Sequence, residues 1–196
     1  PKADVYICVA EIPESGDFLS LHNYKLDEDL LRDSEIKFEP IIGSGISCKH
    51  PLCKKVSYSK ISPHSFSVIF GNTILGAMAS LYDNDRDGLN LNEKVLNGWG
   101  VTVDEFMVQS VNYVEGQTTD FSMLTEKEFK QIKGKSQKEI KAKIIKDSTI
   151  REMVFQGKGI VEEPYVANFL FEKSILSTNI IPSKFSVTTG SGRHKG

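Results

Sequence analysis

Val5, Ile7 and Val9 alternate with Tyr6, Cys8 and Ala10, the period of a half-buried strand. Glu35 to Glu39 alternates in the same way and is stopped by Pro40, with Gly43 and Gly45 marking a bend beyond it. Lys55 to Ser59 and Ser65 to Phe70 predict two further strands separated by Ser62-Pro63. The clearest strand signal in the middle of the chain follows the only tryptophan, Trp99: Val101 and Val103 alternate with Thr102 and Asp104, and apolar positions resume at Phe106, Met107, Val108 and Val111. Tyr165, Ala167, Phe169 and Phe171 then alternate with Val166, Asn168, Leu170 and Glu172. Both faces of that segment are apolar, so it is either covered on both sides or set at a subunit contact, which makes Tyr165, Phe169 and Phe171 candidate interface residues. Ile180, Ile181, Phe185 and Val187 predict a last strand.

Helical spacing is rarer. Leu26, Leu30 and Leu31 fit one face of a short helix in the acidic segment Asp17 to Ser34. Ile74, Leu75, Met78 and Leu81 predict a short buried helix, weakened by Gly71 and Gly76. Thr125 with Glu128 forms a capping box ahead of Phe129 and Ile132, and this helix ends near Gly134. Ser136 with Glu139 repeats the device and opens a second helix whose buried stripe is Ile140, Ile144 and Ile145. The expected fold is therefore α+β but mainly β: two packed sheets or a small β-barrel, a short helix, and a helical pair inserted at about 124–156. Residues 1–188 make one domain and the glycine-rich 189–196 a flexible tail.

With 39% hydrophobic and 26% charged residues, the 196-residue chain can fill a core. Its net charge of −2 argues against a nucleic-acid partner. No apolar run reaches membrane-spanning length, so no membrane insertion is expected. The opening residues lack the ordered regions of a signal peptide, which fits a cytoplasmic protein or export by a route that needs none. Cys8, Cys48 and Cys53 cannot form a complete disulfide framework and read as free thiols. Cys48, His50 and Cys53 offer three zinc ligands in one loop; a closed site needs a fourth, such as His64 or His22, and no second paired motif supplies it. Between Glu126 and Lys146 there are eight lysines against three glutamates. A solvated amphipathic helix pair is the expected source of such a face; a patch for an acidic partner is the alternative.

Asp83, Asp85 and Asp87 alternate before Gly88, a spacing that lets carboxylates converge on calcium. As an EF-hand loop over 83–94 the stretch places Asn90 where an aliphatic residue belongs and Lys94 where a bidentate glutamate belongs, with Glu93 one position early. Leu81 to Asp85 is also similar to a C2-domain calcium loop, although Asp17 is the only acidic residue available from an earlier loop. A polar turn built from turn residues accounts for the same pattern without a metal. No nucleophile elbow, zinc-protease helix motif, phosphate loop or dinucleotide fingerprint occurs, so no enzyme class is indicated and no cofactor beyond calcium is suggested.

Taken in order, Asp4-Val5-Tyr6-Ile7 with Glu11-Ile12, Ser34 to Phe38 with Gly43-Ser44-Gly45, Val56 to Lys60 with Ser62-Pro63, Val101 to Val111, and Asn168 to Lys173 resemble the strands of the Hcp family, the tube proteins of bacterial type VI secretion systems. Val101 to Val111 is the closest of these matches. The acidic loop and the lysine-rich helices have no counterpart in that pattern. The resemblance implies a small β-barrel and a homo-oligomer in which subunits associate head-to-tail into hexameric rings that stack into a tube. It also implies a structural role in the bacterial cytoplasm or in export, and partners among secretion-apparatus proteins or effectors. The alternative function is a calcium-dependent binding module of C2-like or EF-hand-like character.

Overall fold

The computed structural model describes residues 3–13, 17–49, 56–82, 88–114, 119–181 and 185–189. In chain order the first elements are β1 (Cys8–Ala10), α1 (Asp17–Leu21), α2 (Glu28–Asp33), β2 (Phe38–Pro40), β3 (Ile46–Cys48) and β4 (Val56–Ile61). The helices α3 (Pro63–Phe70), α4 (Thr73–Ser80), α5 (Gly88–Trp99), α6 (Val103–Ser110), α7 (Glu126–Lys146) and α8 (Ser148–Gln156) follow, with a 3-10 turn at Phe121–Met123 before α7. The strands β5 (Phe169–Glu172), β6 (Ile175–Ser177) and β7 (Phe185–Thr189) come last. The chain divides into two compact units, Pro1–Pro51 with Val161–Ile181, and Leu52–Ile160 with Pro182–Gly196.

The chain is not mainly β, and the expected packed sheets or barrel are absent among the described residues. Helices carry most of the regular structure. The described strands, three to six residues long, form three separate sheets of two or three strands, none closed on itself. No described helix is long and apolar enough to cross a membrane.

The second unit shows why the strand expectations failed. Ser62-Pro63 is not a turn between strands: the Ser62 hydroxyl accepts from the Ser65 N–H at 3.2 Å and Pro63 takes the first helical position, so the chain opens α3. Gly71 ends α3 at φ +68°, a left-handed conformation that costs glycine little, and Asn72 caps α4 by accepting from the Ile74 N–H at 2.8 Å. Thr102 with Glu105 is a full capping box, with Thr102 N donating to Glu105 Oε2 at 2.8 Å and Glu105 N donating to Thr102 Oγ1 at 3.2 Å. Val101 to Val111, expected as the central strand, is therefore the cap and body of α6, with Phe106, Met107 and Ser110 on its buried side. Trp99 closes α5 rather than introducing a strand.

The two expected lysine-rich helices form one, α7, capped by Thr125 and Glu128 and continuous through Gly134. Ser136 opens no helix there, because its hydroxyl donates back to the Ile132 carbonyl at 2.7 Å. Nor is α7 an appendage. Phe129, Ile132, Ile140 and Ile144 are buried, and Gln137 Nε2 donates to the Ala79 carbonyl on α4 at 3.2 Å.

The expected short buried helix, by contrast, is present as α4. Its buried residues include Gly76, Ala77, Ala79 and Ser80, and this small-residue surface lets neighbours approach closely. A Cβ placed on Gly76 would overlap the Trp99 ring, with Cε3 at 2.9 Å. Phe66 meets the same indole edge-on, ring centroids 5.3 Å apart. Gly134 on α7 is the opposite case, with no atom within 4 Å of an added Cβ.

These two glycines predict opposite responses to alanine. Gly76→Ala should lose about 1–3 kcal/mol through overpacking despite its better helix propensity. Gly134→Ala should gain about 0.5–1 kcal/mol. Chemical denaturation of the two variants beside the parent chain checks both signs; equal shifts would refute the Trp99 fit.

Candidate assembly face

The first strand of the first unit is inverted. β1 pairs antiparallel with β2 in the register Cys8↔Pro40, Val9↔Glu39 and Ala10↔Phe38, and Ile41 N donates to Ile7 O at 2.9 Å as the ladder continues. Residues opposite one another in such a ladder share a face. Tyr6, Cys8 and Ala10 turn inward and are half-buried, as are Phe38 and Pro40. Val5, Ile7 and Val9 turn outward, 50%, 56% and 65% exposed, and Ile41 opposite Ile7 is 45% exposed. Ile42, in the turn that follows, is 78% exposed. The apolar set that alternation would place in a core thus stands in solvent.

The inward face explains the inversion. Asp27 caps α2 by accepting from the Leu30 N–H at 2.9 Å, which sets Glu28 in the first turn. The Tyr6 hydroxyl donates to Glu28 Oε1 at 2.6 Å, and the Tyr165 hydroxyl donates to the same oxygen at 3.0 Å. Arg32 closes the other side, Nη2 to Glu28 Oε2 at 2.7 Å. The two tyrosine rings meet edge to face with centroids 6.2 Å apart. Together with Ala3, Leu26 and Leu31 they line a pocket of about 340 Å³.

The electrostatics follow from these bonds. Hydrogen bonding from Tyr6 holds the Glu28 carboxyl below the usual range, with Tyr165 and Arg32 acting in the same direction against the cost of burial. Burial, then the bond to Glu28, pushes the Tyr6 phenol well above its ordinary value. A carboxylate engaged by two phenols and a guanidinium is a poor base, and its work here is to bind the inner face of the strand to α2 and to residue 165. Ser44 adds a clamp on the backbone, accepting from Ile7 N at 2.9 Å and donating to Ile7 O at 3.2 Å.

Of the interface residues expected from the sequence, Tyr165 belongs to this inner cluster. Phe169 is half-buried and pairs with Ile46 in the parallel ladder of β3 and β5. Phe171 is exposed and lies opposite Leu176 of β6, also exposed, in a second apolar patch. The calcium candidates Asp83, Asp85 and Asp87 lie outside the described residues, as do His50 and Cys53. Cys48 is exposed, with Asp4 Oδ2 accepting from its backbone N–H at 2.6 Å; burial and then Asp4 push its thiol up. His22 packs on the Phe18 ring and His64 lies on α3. Among the described residues no three metal-ligating side chains converge.

The cluster of Tyr6, Glu28, Arg32 and Tyr165 carried no signal in the sequence, since Tyr165 stands 137 positions from the carboxylate it binds. Comparison with protein-family models, with curated proteins and with solved structures finds no match.

A carboxyl whose folded value is depressed contributes stability that is complete above its unfolded value and is lost as pH falls through the folded one. Glu28→Gln should therefore cost about 1–2 kcal/mol at neutral pH, and its deficit relative to the parent should close as pH falls below about 4. Unfolding curves of both proteins across that range test this; a deficit independent of pH would mean the charge is not what binds the strand.

Proposed function

We propose that this chain is a structural, non-catalytic protein that assembles with other copies of itself through the outer face of β1 and β2. The observation that carries this reading is the row Val5, Ile7, Val9 and Ile41, exposed on a strand whose inner side is fixed by Glu28. Contiguous aliphatic surface of this kind gains by leaving water, by roughly 25 cal/mol for each Å² buried. A rigid backing means that little freedom is lost when a partner docks. Among the described residues, exposed apolar side chains are concentrated in this unit, where Leu21, Tyr24, Ile42, Ile175 and Leu176 are exposed as well.

A secretion tube is one form such an assembly takes. What supports that form is the order of the resembling segments, and the closest of them, Val101 to Val111, is helical here. The assembly role does not require a barrel. The calcium-dependent alternative rests on aspartates outside the described residues, and no further observation favours it.

Sedimentation or light scattering across a concentration series should give the parent chain a mass above its 21.9 kDa monomer. Ile7→Lys with Ile41→Glu should lower that mass toward the monomer while leaving the melting temperature within a few degrees, because both positions are solvent-facing. A parent that stays monomeric, or a double variant that associates as before, would overturn the reading. A melting temperature that rises with calcium would favour the calcium-binding alternative instead.

A further inference from the structure

The lysine-rich face of α7 has a shape as well as a charge. Lys127, Lys130, Gln131, Gly134 and Lys138 fall at helical spacing on one side, and with Val114 they line an open groove of about 750 Å³. Lys135 also borders it. Among the described residues none of these four lysines forms an ion pair, whereas Lys143 on the same helix reaches Glu139 at 3.8 Å. Two features of this side oppose the isolated helix. Like charges sit three residues apart at Lys127 and Lys130 and again at Lys135 and Lys138, and Gly134 stands mid-helix with open space where its side chain would be. A missing side chain between lysines leaves room for another backbone or side chain to come close.

Charge is distributed unevenly along the chain. Eight of its 24 Lys and Arg lie between residues 126 and 146, against three of its 26 Asp and Glu, so the remainder is net acidic. The densest acidic run described is 27–35, where Asp27, Glu28, Asp29, Asp33 and Glu35 are offset by Arg32 alone. Glu28 occupies Arg32 at 2.7 Å, while Asp29 is only 3.8 Å from it and has a side chain 94% exposed. Asp29 and Asp33, four apart on α2, are both exposed.

We propose that the α7 groove receives the acidic α2 segment of a second copy of this chain. The inference rests on the assembly reading but uses a different surface, so that copies meet through unlike patches in a heterologous contact. The charged pair supplies orientation and salt sensitivity, while the aliphatic row supplies apolar burial.

Two variants of the whole 196-residue chain test it. In one, Lys127, Lys130, Lys135 and Lys138 are changed to Glu; in the other, Asp29→Lys and Asp33→Lys reverse α2 while leaving the structural Asp27 and Glu28 intact. Circular dichroism and melting temperature establish that both are folded, and the quadruple Lys→Gln variant serves if charge reversal prevents folding. Parent self-association should weaken at least tenfold between about 50 mM and about 500 mM salt. Each reversed variant alone should lose that salt-sensitive association, and an equimolar mixture should recover it to within about tenfold of the parent. Folded variants that do not recover on mixing would overturn the proposal. So would a salt effect with no dependence on protein concentration, or binding of a duplex of about 20 base pairs to the parent with the same lysine dependence. If the parent associates, loses this with Ile7→Lys and Ile41→Glu, and is indifferent to salt and to both reversals, this proposal falls and the assembly reading stands. A parent monomeric at both salt concentrations removes both.

Discussion

The helical unit depends on the fit of the Trp99 indole over the bare backbone of Gly76. α4 can sit among α3, α5, α6 and α7 because its buried residues include Gly76, Ala77, Ala79 and Ser80, and the largest neighbour takes the smallest gap. The fit is one of shape. Trp99 Nε1 is buried without a hydrogen-bond partner among the described residues, a cost of about 1–3 kcal/mol that close packing of the ring must offset. The buried hydroxyls of Ser80, Ser110 and Ser136 donate to carbonyls three or four residues back in their own helices. Between helices, the Gln137 bond to the Ala79 carbonyl is joined by apolar contacts, among them the edge-to-face series Phe106, Phe121 and Phe129 that ends on α7.

The first unit is organised on the opposite principle. Its strands are short and its first sheet has two of them, too few for independent stability from the ladder alone. Polar bonds converging on Glu28 take up the task and draw the Tyr6 side of the strand inward. Once Tyr6 is inside, the pleat obliges Val5, Ile7 and Val9 to face out, because successive side chains in a strand point to opposite faces. The exposed aliphatic row is a consequence of the glutamate bond, which joins the local electrostatics to the proposed assembly role.

Some of the fold was legible in the sequence and some was misleading for identifiable reasons. The capping box at Thr125 and Glu128 and the buried spacing of Ile74, Leu75 and Met78 correctly announce helices. Thr102 and Glu105 form the same capping box, but alternation at Val101 and Val103 imitates a strand over the four residues where a helix begins. Ser136 and Glu139 have the spacing of a cap without its structure, because a serine hydroxyl inside a continuing helix is satisfied by the carbonyl four residues back. In the candidate site, the alternation of residues 5–10 is plain in the chain, yet nothing in it names the side that meets Glu28.

What the sequence determined by itself is therefore what a few neighbouring residues can settle: the helix starts at Ser62, Asn72, Thr102 and Thr125, the turn at Gly71, and the concentration of lysine on one helix. These depend on hydrogen bonds spanning two to four positions and on residue-type counts. The tertiary structure decided which face of the first strand is buried, that α7 is part of a core, and that Gly76 must remain bare. Each of those outcomes depends on a partner distant in the chain, Tyr165 for Glu28, Ala79 for Gln137 and Trp99 for Gly76, and no local period records where such a partner will stand.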